Sequence, residues 1–271
     1  MHGSGNTSTS LKDRTAITYG AGGAVGSAVA RGFAEEGARV FLTGRNLDSV
    51  GKVASAIAAE GGVAESAQVD ALDEQAVEKH ASAVVRKAGA IDISFNASGI
   101  PQQGIQGIPL AELSVEAFTL PIASYTRANF LTARAAVRRM IEKRSGVIMI
   151  HTPEPGRLGA PLIGGMAPAW AAMEMLCHDL SAEYASQGIR AVCLRSTGIP
   201  ETPVIDVVFG LHAKALGITP EQFRALMEGM THRRRSTTLA ELVNVAVFMA
   251  SDRAGAMTGT AANLTGGRVV E

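Results

Sequence analysis

Cysteine is scarce in this sequence, and neither sign of charge is in excess. The two cysteines, Cys177 and Cys193, are too few for a disulfide framework and lack the spacing of a metal site. This usage is typical of a reducing environment and predicts a cytoplasmic protein. Since 25 basic residues are matched by 25 acidic ones, we expect no basic surface for nucleic acid or for an anionic membrane. A small molecule is the expected partner.

Long apolar runs and linker-like stretches are also missing from the 271 residues. No run approaches the roughly 20 apolar residues that cross a bilayer, so no membrane segment is predicted. Residues 1–10 lack the apolar core of a signal peptide and are predicted to form a flexible leader. Because no break divides the remainder, residues 11–271 are predicted to form a single domain.

Residues 15–45 contain a glycine-rich turn between two apolar runs. The first run ends at Tyr19, and a helical pattern with Val25 on its apolar face ends at Gly37 before the second run. Bare backbone at the start of a helix, where free N–H groups converge, favours an anion such as the pyrophosphate of a dinucleotide. The glycines of the turn are Gly20, Gly22, Gly23 and Gly26.

The end of the second apolar run bears on the choice between NAD and NADP. An NAD site usually has an acidic residue there, whereas this sequence has Thr43, Gly44 and Arg45. A guanidinium suits the 2′-phosphate of NADP, so NADP(H) is the predicted cofactor. The alternative interpretation is that Arg45 is a solvated surface residue.

Apolar runs and helical patterns alternate along the rest of the chain. Strands are predicted over residues 16–19, 39–43, 63–69, 91–95, 146–150, 190–194 and 262–265. The alternation predicts an α/β protein with a doubly wound parallel sheet, the Rossmann fold, and ligands beyond the carboxyl ends of the strands. Pro121 is expected to kink or restart its helix. Residues 203–232 contain no predicted strand and are interpreted as a lid over the substrate.

Several motifs together resemble the short-chain dehydrogenase/reductase family over essentially the whole chain after residue 10. YGAGGAVG resembles the family's TGxxxGxG, VDALD carries Asp70, FNASG resembles NNAG through Asn96, and STGIPET resembles PGxxxT through Gly198 and Thr202. The C-terminal stretch from ELVNVAVFMA to LTGG also follows the family pattern.

The resemblance carries further expectations about assembly and cofactor binding. It implies a homodimer or homotetramer, and it assigns Glu174 and His178 to the packing of subunits. In the family, the residue aligned with Asp70 contacts the adenine. The cofactor site that the resemblance and the glycine turn imply consists of Gly20, Gly22, Gly23, Val25, Gly26, Arg45, Asp70, Ala71, Asn96, Ala97, Ser98 and Thr202.

The family's proton-transfer residues are replaced in this sequence. The family's tyrosine aligns with Met166 and its lysine with Trp170, and the pattern YxxxK does not occur. The family's serine aligns with Pro153, beside Thr152, and its helix asparagine aligns with Tyr125. The resemblance therefore implies an oxidoreductase whose catalytic residues are atypical.

One interpretation is that the protein still transfers hydride, to a small and largely apolar carbonyl, enone or imine compound. Tyr125 is then the first candidate for the proton donor and His151 the second, with Thr152 as a further candidate residue of the catalytic site. Each has a plain alternative, since Tyr125 can be a packed aromatic residue and His151 a loop histidine bonded to backbone.

A second interpretation is a catalytically silent NADP-binding protein that acts as a sensor or scaffold. Met166, Trp170 and Gly198 are predicted to line the ligand pocket, although packing within the helix explains the first two equally well. A reaction without hydride transfer, such as a proton shift or a dehydration, is a third interpretation. No metal site is predicted, because the histidines do not cluster with cysteines or carboxylates.

Overall fold

The computed structural model describes residues 10–271. The predicted flexible leader lies outside the described residues except for Ser10. The backbone N–H and the hydroxyl of Ser10 both donate to a carboxylate oxygen of Glu36, at 2.7 and 2.8 Å. Leu11 is buried, so the packed part of the chain includes residue 11.

Seven strands form one parallel sheet in the order β3-β2-β1-β4-β5-β6-β7. This arrangement confirms the predicted doubly wound α/β fold. The strand order reverses between β1 and β4, which leaves a crevice at their carboxyl ends. The strands are β1 (Thr15–Tyr19), β2 (Arg39–Gly44), β3 (Val63–Gln68), β4 (Ile93–Asn96), β5 (Gly146–Pro153), β6 (Ile189–Ser196) and β7 (Thr260–Leu264).

Within residues 10–271, eight α-helices accompany the sheet. They are α1 (Ala24–Glu35), α2 (Leu47–Ala59), α3 (Glu74–Ala88), α4 (Val115–Lys143), α5 (Met166–Tyr184), α6 (Pro203–Leu216), α7 (Pro220–Gly229) and α8 (Leu239–Ala250). Short 3₁₀ turns occupy Glu154–Gly156, Ala185–Gln187 and Asp252–Ala254. The turn at Glu154–Gly156 directly follows β5, at the edge of the sheet where ligands bind in such folds.

The central strands of the sheet are buried on both faces, and their side chains alternate between the two cores. In β5, Met149 packs into the core formed with α1 and α8, whereas Ile148 and Ile150 pack into the core formed with α4 and α5. The same alternation decides which way the residues at the end of β5 point.

Strand β5 is longer than predicted. The sequence indicates an end at residue 150, with His151 and Thr152 in a loop. In the structure both residues belong to the strand, where His151 pairs with Leu194 and Thr152 with Arg195 of β6. The two strands extend together because each satisfies the backbone of the other. The interpretation of His151 as a loop histidine is therefore wrong.

Helix α4 continues through Pro121, so the predicted restart does not occur. Pro121 is buried, and its ring Cγ would lie 3.1 Å from a Cβ atom added to Gly165 at the start of α5. Close packing of the two helices thus surrounds the residue that interrupts the hydrogen bonds of α4. Tertiary packing outweighs the local preference of proline here.

Residues 203–232 contain no strand, as expected, and form α6 and α7. The second of these helices begins with a capping box formed by Thr219 and Gln222. The two helices enclose a small core of Ile205, Phe209, Ala213 and Phe223. The Phe209 and Phe223 rings meet edge to face with centroids 5.2 Å apart.

Within residues 10–271, no helix combines the length and the apolar character needed to cross a membrane. In the same range, no group of three or more His, Cys, Asp or Glu side chains is placed to hold a metal ion.

Candidate active site

A cavity of about 900 Å³ lies at the carboxyl edge of the sheet. Its walls come from the glycine turn after β1, the ends of β2 and β4, the turn after β5, and helices α5, α6 and α7. All predicted cofactor residues line it, as do Tyr125, His151, Met166, Trp170 and Gly198. The cofactor residues in the wall are Gly20, Gly22, Gly23, Val25, Gly26, Arg45, Asp70, Ala71, Asn96, Ala97, Ser98 and Thr202.

The glycine turn leaves room for a large anion beside a helix end. Gly20 has a positive φ of 70°, and a Cβ atom on it would lie 2.7 Å from the backbone of Ala97. A Cβ atom on Gly26 would collide with the carbonyl oxygen of Gly20. Within the described residues, no side chain caps α1 at Gly23. The first N–H groups of the helix thus face the cavity, which fits a dinucleotide pyrophosphate.

The far end of the cavity has the groups expected around an adenosine. Arg45 is exposed at the rim, directly after β2. Its backbone carbonyl accepts a hydrogen bond from Gln68 Nε2 at 2.9 Å, which ties the end of β2 to the end of β3. The carboxylate of Asp70 accepts from the backbone N–H of Leu72 at 2.9 Å. The backbone of Arg45 is thus held at the rim, and its side chain is exposed there.

Asn96 shapes the turn that follows β4. Its Nδ2 group donates to Thr132 Oγ1 of α4 at 3.0 Å, and its Oδ1 atom accepts from the backbone N–H of Ser98 at 2.9 Å. Both ends of the buried amide are therefore in use. The side chain holds Ala97 and Ser98 against the cavity rather than reaching a ligand itself.

Tyr125 lies in the cavity wall, where burial raises the pKa of its hydroxyl. Hydrogen bonds from the backbone of Ile100 and the side chain of Gln102 act in the opposite direction. Gln102 Oε1 accepts from Gln106 Nε2 at 2.6 Å, and Gln106 Oε1 is 3.0 Å from His212 Nε2 of α6. This polar chain connects Tyr125 to α6. Sequence reasoning missed it because its members lie far apart along the chain, in the loop after β4, in α4 and in α6.

His151 also lines the cavity, with its Nε2 atom 2.9 Å from Ser196 Oγ. Ser196 Oγ in turn donates to the carbonyl oxygen of Thr197 at 2.9 Å. Burial lowers the pKa of His151 to about 4. The imidazole is therefore neutral near pH 7 and is a poor source of a proton.

Thr152 points away from His151, since neighbouring residues of a strand face opposite sides. It is fully buried, and its hydroxyl donates to Glu174 Oε1 at 3.0 Å. Glu174 also accepts two hydrogen bonds from Arg195, both at 2.8 Å. The structure therefore places Thr152 outside the site predicted for it. It also places Glu174 in an internal ion pair with Arg195 rather than on a surface for subunit packing.

Comparisons with known proteins agree with this geometry. A family model described as Enoyl-(Acyl carrier protein) reductase matches residues 20–268. The uncharacterized oxidoreductase YxbG of Bacillus subtilis (strain 168) is 34% identical over 257 residues, which cover 95% of this chain and 91% of that protein. The chain belongs to the short-chain dehydrogenase/reductase family.

Solved structures of dehydrogenases share the fold and include both kinds of nicotinamide cofactor. A gluconate 5-dehydrogenase from Burkholderia cenocepacia J2315 in complex with NADP and tartrate superposes with a TM-score of 0.84 at 26% identity, covering 97% of each chain. An NAD⁺-bound xylitol dehydrogenase superposes with a TM-score of 0.87 at 25% identity, covering 93% of this chain and 97% of that one.

The positions that align with the family's tyrosine and lysine form an apolar wall in this short-chain dehydrogenase/reductase. Met166 and Trp170 are buried in the core shared with α4 and also line the cavity. The 3₁₀ turn after β5 packs on them, since a Cβ atom on Gly156 would lie 3.0 Å from Trp170 Cβ. Neither side chain can exchange a proton with a ligand.

Glu154 is a cavity residue that sequence reasoning missed. It opens the 3₁₀ turn after β5, is 4% exposed and lines the cavity. Its Oε2 atom has no hydrogen-bond partner within residues 10–271. Burial raises its pKa to about 7, against the opposing charge of Arg268. The signal in the sequence was the position of Glu154 between Pro153 and Pro155, because Pro153 aligns with the family's serine.

Proposed function

We propose that the protein is an NADP(H)-dependent oxidoreductase with atypical catalytic residues, acting on a small and largely apolar carbonyl, enone or imine compound. One observation carries the proposal. The same cavity contains the glycine turn, Arg45 at its rim and an apolar chamber under α6 and α7. Such a cavity has room to hold a dinucleotide and to bring its reactive end to an apolar substrate.

Arg45 supports NADP(H) over NAD(H). It follows Thr43 and Gly44 at the end of β2, where an acidic residue would repel a 2′-phosphate and bind a ribose hydroxyl instead. A guanidinium forms strong paired hydrogen bonds with a phosphate. The residues around the glycine turn hold the pyrophosphate, and those after β4 and β5 border the space left for the nicotinamide.

The chamber beyond the cofactor residues supports an apolar substrate. Met166 and Trp170 form one wall, and the lid helices contribute another. Polar groups are few there, so a substrate with an apolar body and one polar function fits best. The lid residues of this chamber are Val204, Ile205, Val208, Phe209, Leu216, Phe223, Leu226, Met227 and Met230.

A reduced nicotinamide, when bound, supplies a hydride. The protein then has three tasks, which are to orient the substrate, to exclude water and to donate a proton. The apolar walls and the lid accomplish the first two tasks. For the third, the cavity offers Tyr125, His151 and Glu154 in place of the family's tyrosine and lysine.

A catalytically silent NADP-binding protein is the second candidate. The observation in its favour is that both aligned proton-transfer positions, Met166 and Trp170, are buried and apolar. A sensor of this kind keeps the dinucleotide groove and needs no acid in the chamber.

A two-stage experiment separates the two candidates. NADPH fluorescence is titrated with the wild-type protein, and NADPH consumption is then followed with a panel of apolar ketones, enones and cyclic imines. Saturable binding followed by consumption supports the oxidoreductase. Binding without consumption, joined to an NADPH-dependent affinity for another protein, supports the sensor. Absence of NADPH binding contradicts both.

A further inference from the structure

The cavity of this protein needs a new source of protons if it is to reduce a carbonyl compound. The family lowers the pKa of its tyrosine with a neighbouring lysine, but the aligned positions here are Met166 and Trp170. Tyr125 has no such help, because burial raises the pKa of its hydroxyl. His151 is neutral near pH 7 because burial lowers its pKa to about 4. None of these residues is poised to give up a proton at that pH.

Glu154 is held rigidly in the cavity wall. It stands between Pro153 and Pro155 in the 3₁₀ turn after β5, and Gly156 packs directly against Trp170 of α5. The side chain is 4% exposed, yet it borders the cavity, and its Oε2 atom has no hydrogen-bond partner within the described residues. A buried carboxyl oxygen without a partner is costly, so its persistence beside a cavity indicates a role toward a ligand.

Arg268 is the second polar residue of this part of the wall. It follows β7 and lines the same cavity. Within residues 10–271 its Nε group has no hydrogen-bond acceptor, and Glu154 Oε2 has no donor, so these two atoms do not bond to each other. A single substrate oxygen can accept from Arg268 while it exchanges a proton with Glu154. The two side chains are thus suited to bind the carbonyl oxygen of an otherwise apolar substrate.

We propose that Glu154 gives the proton to the substrate oxygen during reduction and that Arg268 positions this oxygen. The assignment rests on the proposed function. The carbonyl carbon of the substrate gains a hydride with its electron pair, and the C–O π pair moves to the oxygen. That oxygen takes the proton from the Glu154 carboxyl group, which is left as a carboxylate beside the charge of Arg268. Glu154 regains a proton from solvent, and oxidation runs through the same steps in reverse.

The charges around Glu154 allow this cycle near neutral pH. Burial raises its pKa to about 7, and the Arg268 guanidinium opposes the rise. Other charged groups nearby are already paired: Arg195 pairs with Glu174 of α5 at 2.8 Å and with Glu271 at 2.6 Å, and Arg157 lies 3.6 Å from Glu271. An acid whose pKa lies near the working pH is protonated in a large fraction of molecules and is still acidic enough to donate its proton.

Infrared titration of the carboxyl groups tests the assignment without a substrate. We expect one carboxyl that titrates near pH 7 in the wild-type protein, that is absent in Glu154→Gln and that is kept in Glu142→Gln. Glu142 is exposed at the end of α4, next to the start of β5 and hence at the opposite edge of the sheet. With NADP⁺ bound, the titration should move to lower pH than with NADPH, because the positive ring stabilises a nearby carboxylate.

Two results would overturn the assignment alone. The first is that fluorescence shows bound nucleotide while infrared titration shows no carboxyl group that titrates near pH 7. The other is a Glu154 titration that is identical with NADP⁺ and NADPH. If neither nucleotide binds, the proposed function fails and the assignment fails with it, so fluorescence distinguishes the two failures.

Turnover provides the second readout, with any compound that the wild-type protein reduces. Glu154→Gln should lower kcat at least about a hundredfold with an unchanged Kd for NADPH, and Glu154→Asp should recover part of the loss. Tyr125→Phe should cost less than Glu154→Gln, and Glu142→Gln should match the wild type. In the wild type, kcat for reduction should fall as pH rises through about 7, and this fall should be absent in Glu154→Gln. Equal kcat in wild type and Glu154→Gln would contradict the proposal.

Discussion

At the scale of single residues, Glu154 combines features that sequence cannot reveal. Its burial, its missing partner and its position in the cavity wall all depend on how β5 ends and how the next turn packs on Trp170. By contrast, the glycines of the turn after β1 and Arg45 after β2 were predicted from sequence, since their roles follow from local backbone geometry and charge. Thr152 was misplaced because β5 continues to Pro153, so the side chain of Thr152 follows the alternation of the strand.

The raised pKa of Glu154 predicts how stability depends on pH. The pKa rises from an ordinary value near 4.5 to about 7, and each pKa unit corresponds to about 1.4 kcal/mol. The protonated carboxyl stabilises the folded state fully below about pH 4.5, and this contribution is lost as pH rises through about 7. Between these limits, the wild type should lose about 3 kcal/mol of unfolding free energy relative to Glu154→Gln.

Urea unfolding at a series of pH values measures this difference. Glu142→Gln is the matched control, because its exposed carboxyl should leave the pH dependence of the wild type unchanged. A difference between wild type and Glu154→Gln that stays constant from about pH 4.5 to about pH 8 would show that Glu154 is not a buried titrating group.

At the scale of elements, the central strands were predictable because their apolar runs are short and are bounded by turns. Helix α6 was missed, although Pro203 opens it and Gly217, with a φ of 69°, ends it. The continuity of α4 through Pro121 was not predictable, since it depends on packing against the start of α5. Local preferences give the elements, while contacts between distant residues decide their ends.

The contact between α4 and α5 leaves no space for a side chain at Gly165. A Cβ atom there would collide with the carbonyl oxygen of Phe118 and approach the ring of Pro121. We expect Gly165→Ala to lower the unfolding free energy by about 2 kcal/mol, because one of the two helices must shift. Gly210→Ala in α6 is the control, since a Cβ atom on Gly210 meets nothing within 4 Å and alanine favours a helix.

Thermal unfolding followed by circular dichroism compares the two variants. Gly165→Ala should melt below the wild type and Gly210→Ala at or above it. If Gly165→Ala melted with the wild type, the close approach of α4 and α5 around Pro121 would be contradicted.

The ion pair of Glu174 and Arg195 connects α5 to β6 within the sheet's buried face. Their side chains are 6% and 3% exposed, and the carboxylate accepts two hydrogen bonds from the guanidinium. Arg195→Met should cost about 3 kcal/mol or more, because it leaves the Glu174 carboxylate buried without its charge partner. The double variant Arg195→Met, Glu174→Met should regain most of this loss, since no uncompensated charge remains.

A double-mutant cycle with both single variants measures the coupling by urea unfolding. The account predicts that the two single losses are not additive. Purely additive losses would mean that the two side chains do not stabilise each other in the folded protein.

At the scale of the whole molecule, the carboxyl edge of one sheet borders both a crevice between β1 and β4 and an apolar chamber. Its strand order creates the crevice between β1 and β4 in which a dinucleotide binds, as in other members of the family. The turn after β5 and helices α5, α6 and α7 then form a chamber without the family's tyrosine and lysine. The fold and the cofactor groove follow from motifs shared with relatives, whereas the chamber has to be understood from this chain's own contacts. The expected homodimer or homotetramer stays a prediction.

Calorimetric titration of the wild-type protein with NADPH and with NADH measures directly whether the groove binds a phosphorylated nicotinamide cofactor. Arg45→Ala is the test variant and Arg86→Ala, exposed near the end of α3, is the control. We expect NADPH to bind at least about tenfold more tightly than NADH and Arg45→Ala alone to remove this preference. No binding of either nucleotide, or a preference for NADH, would contradict this expectation.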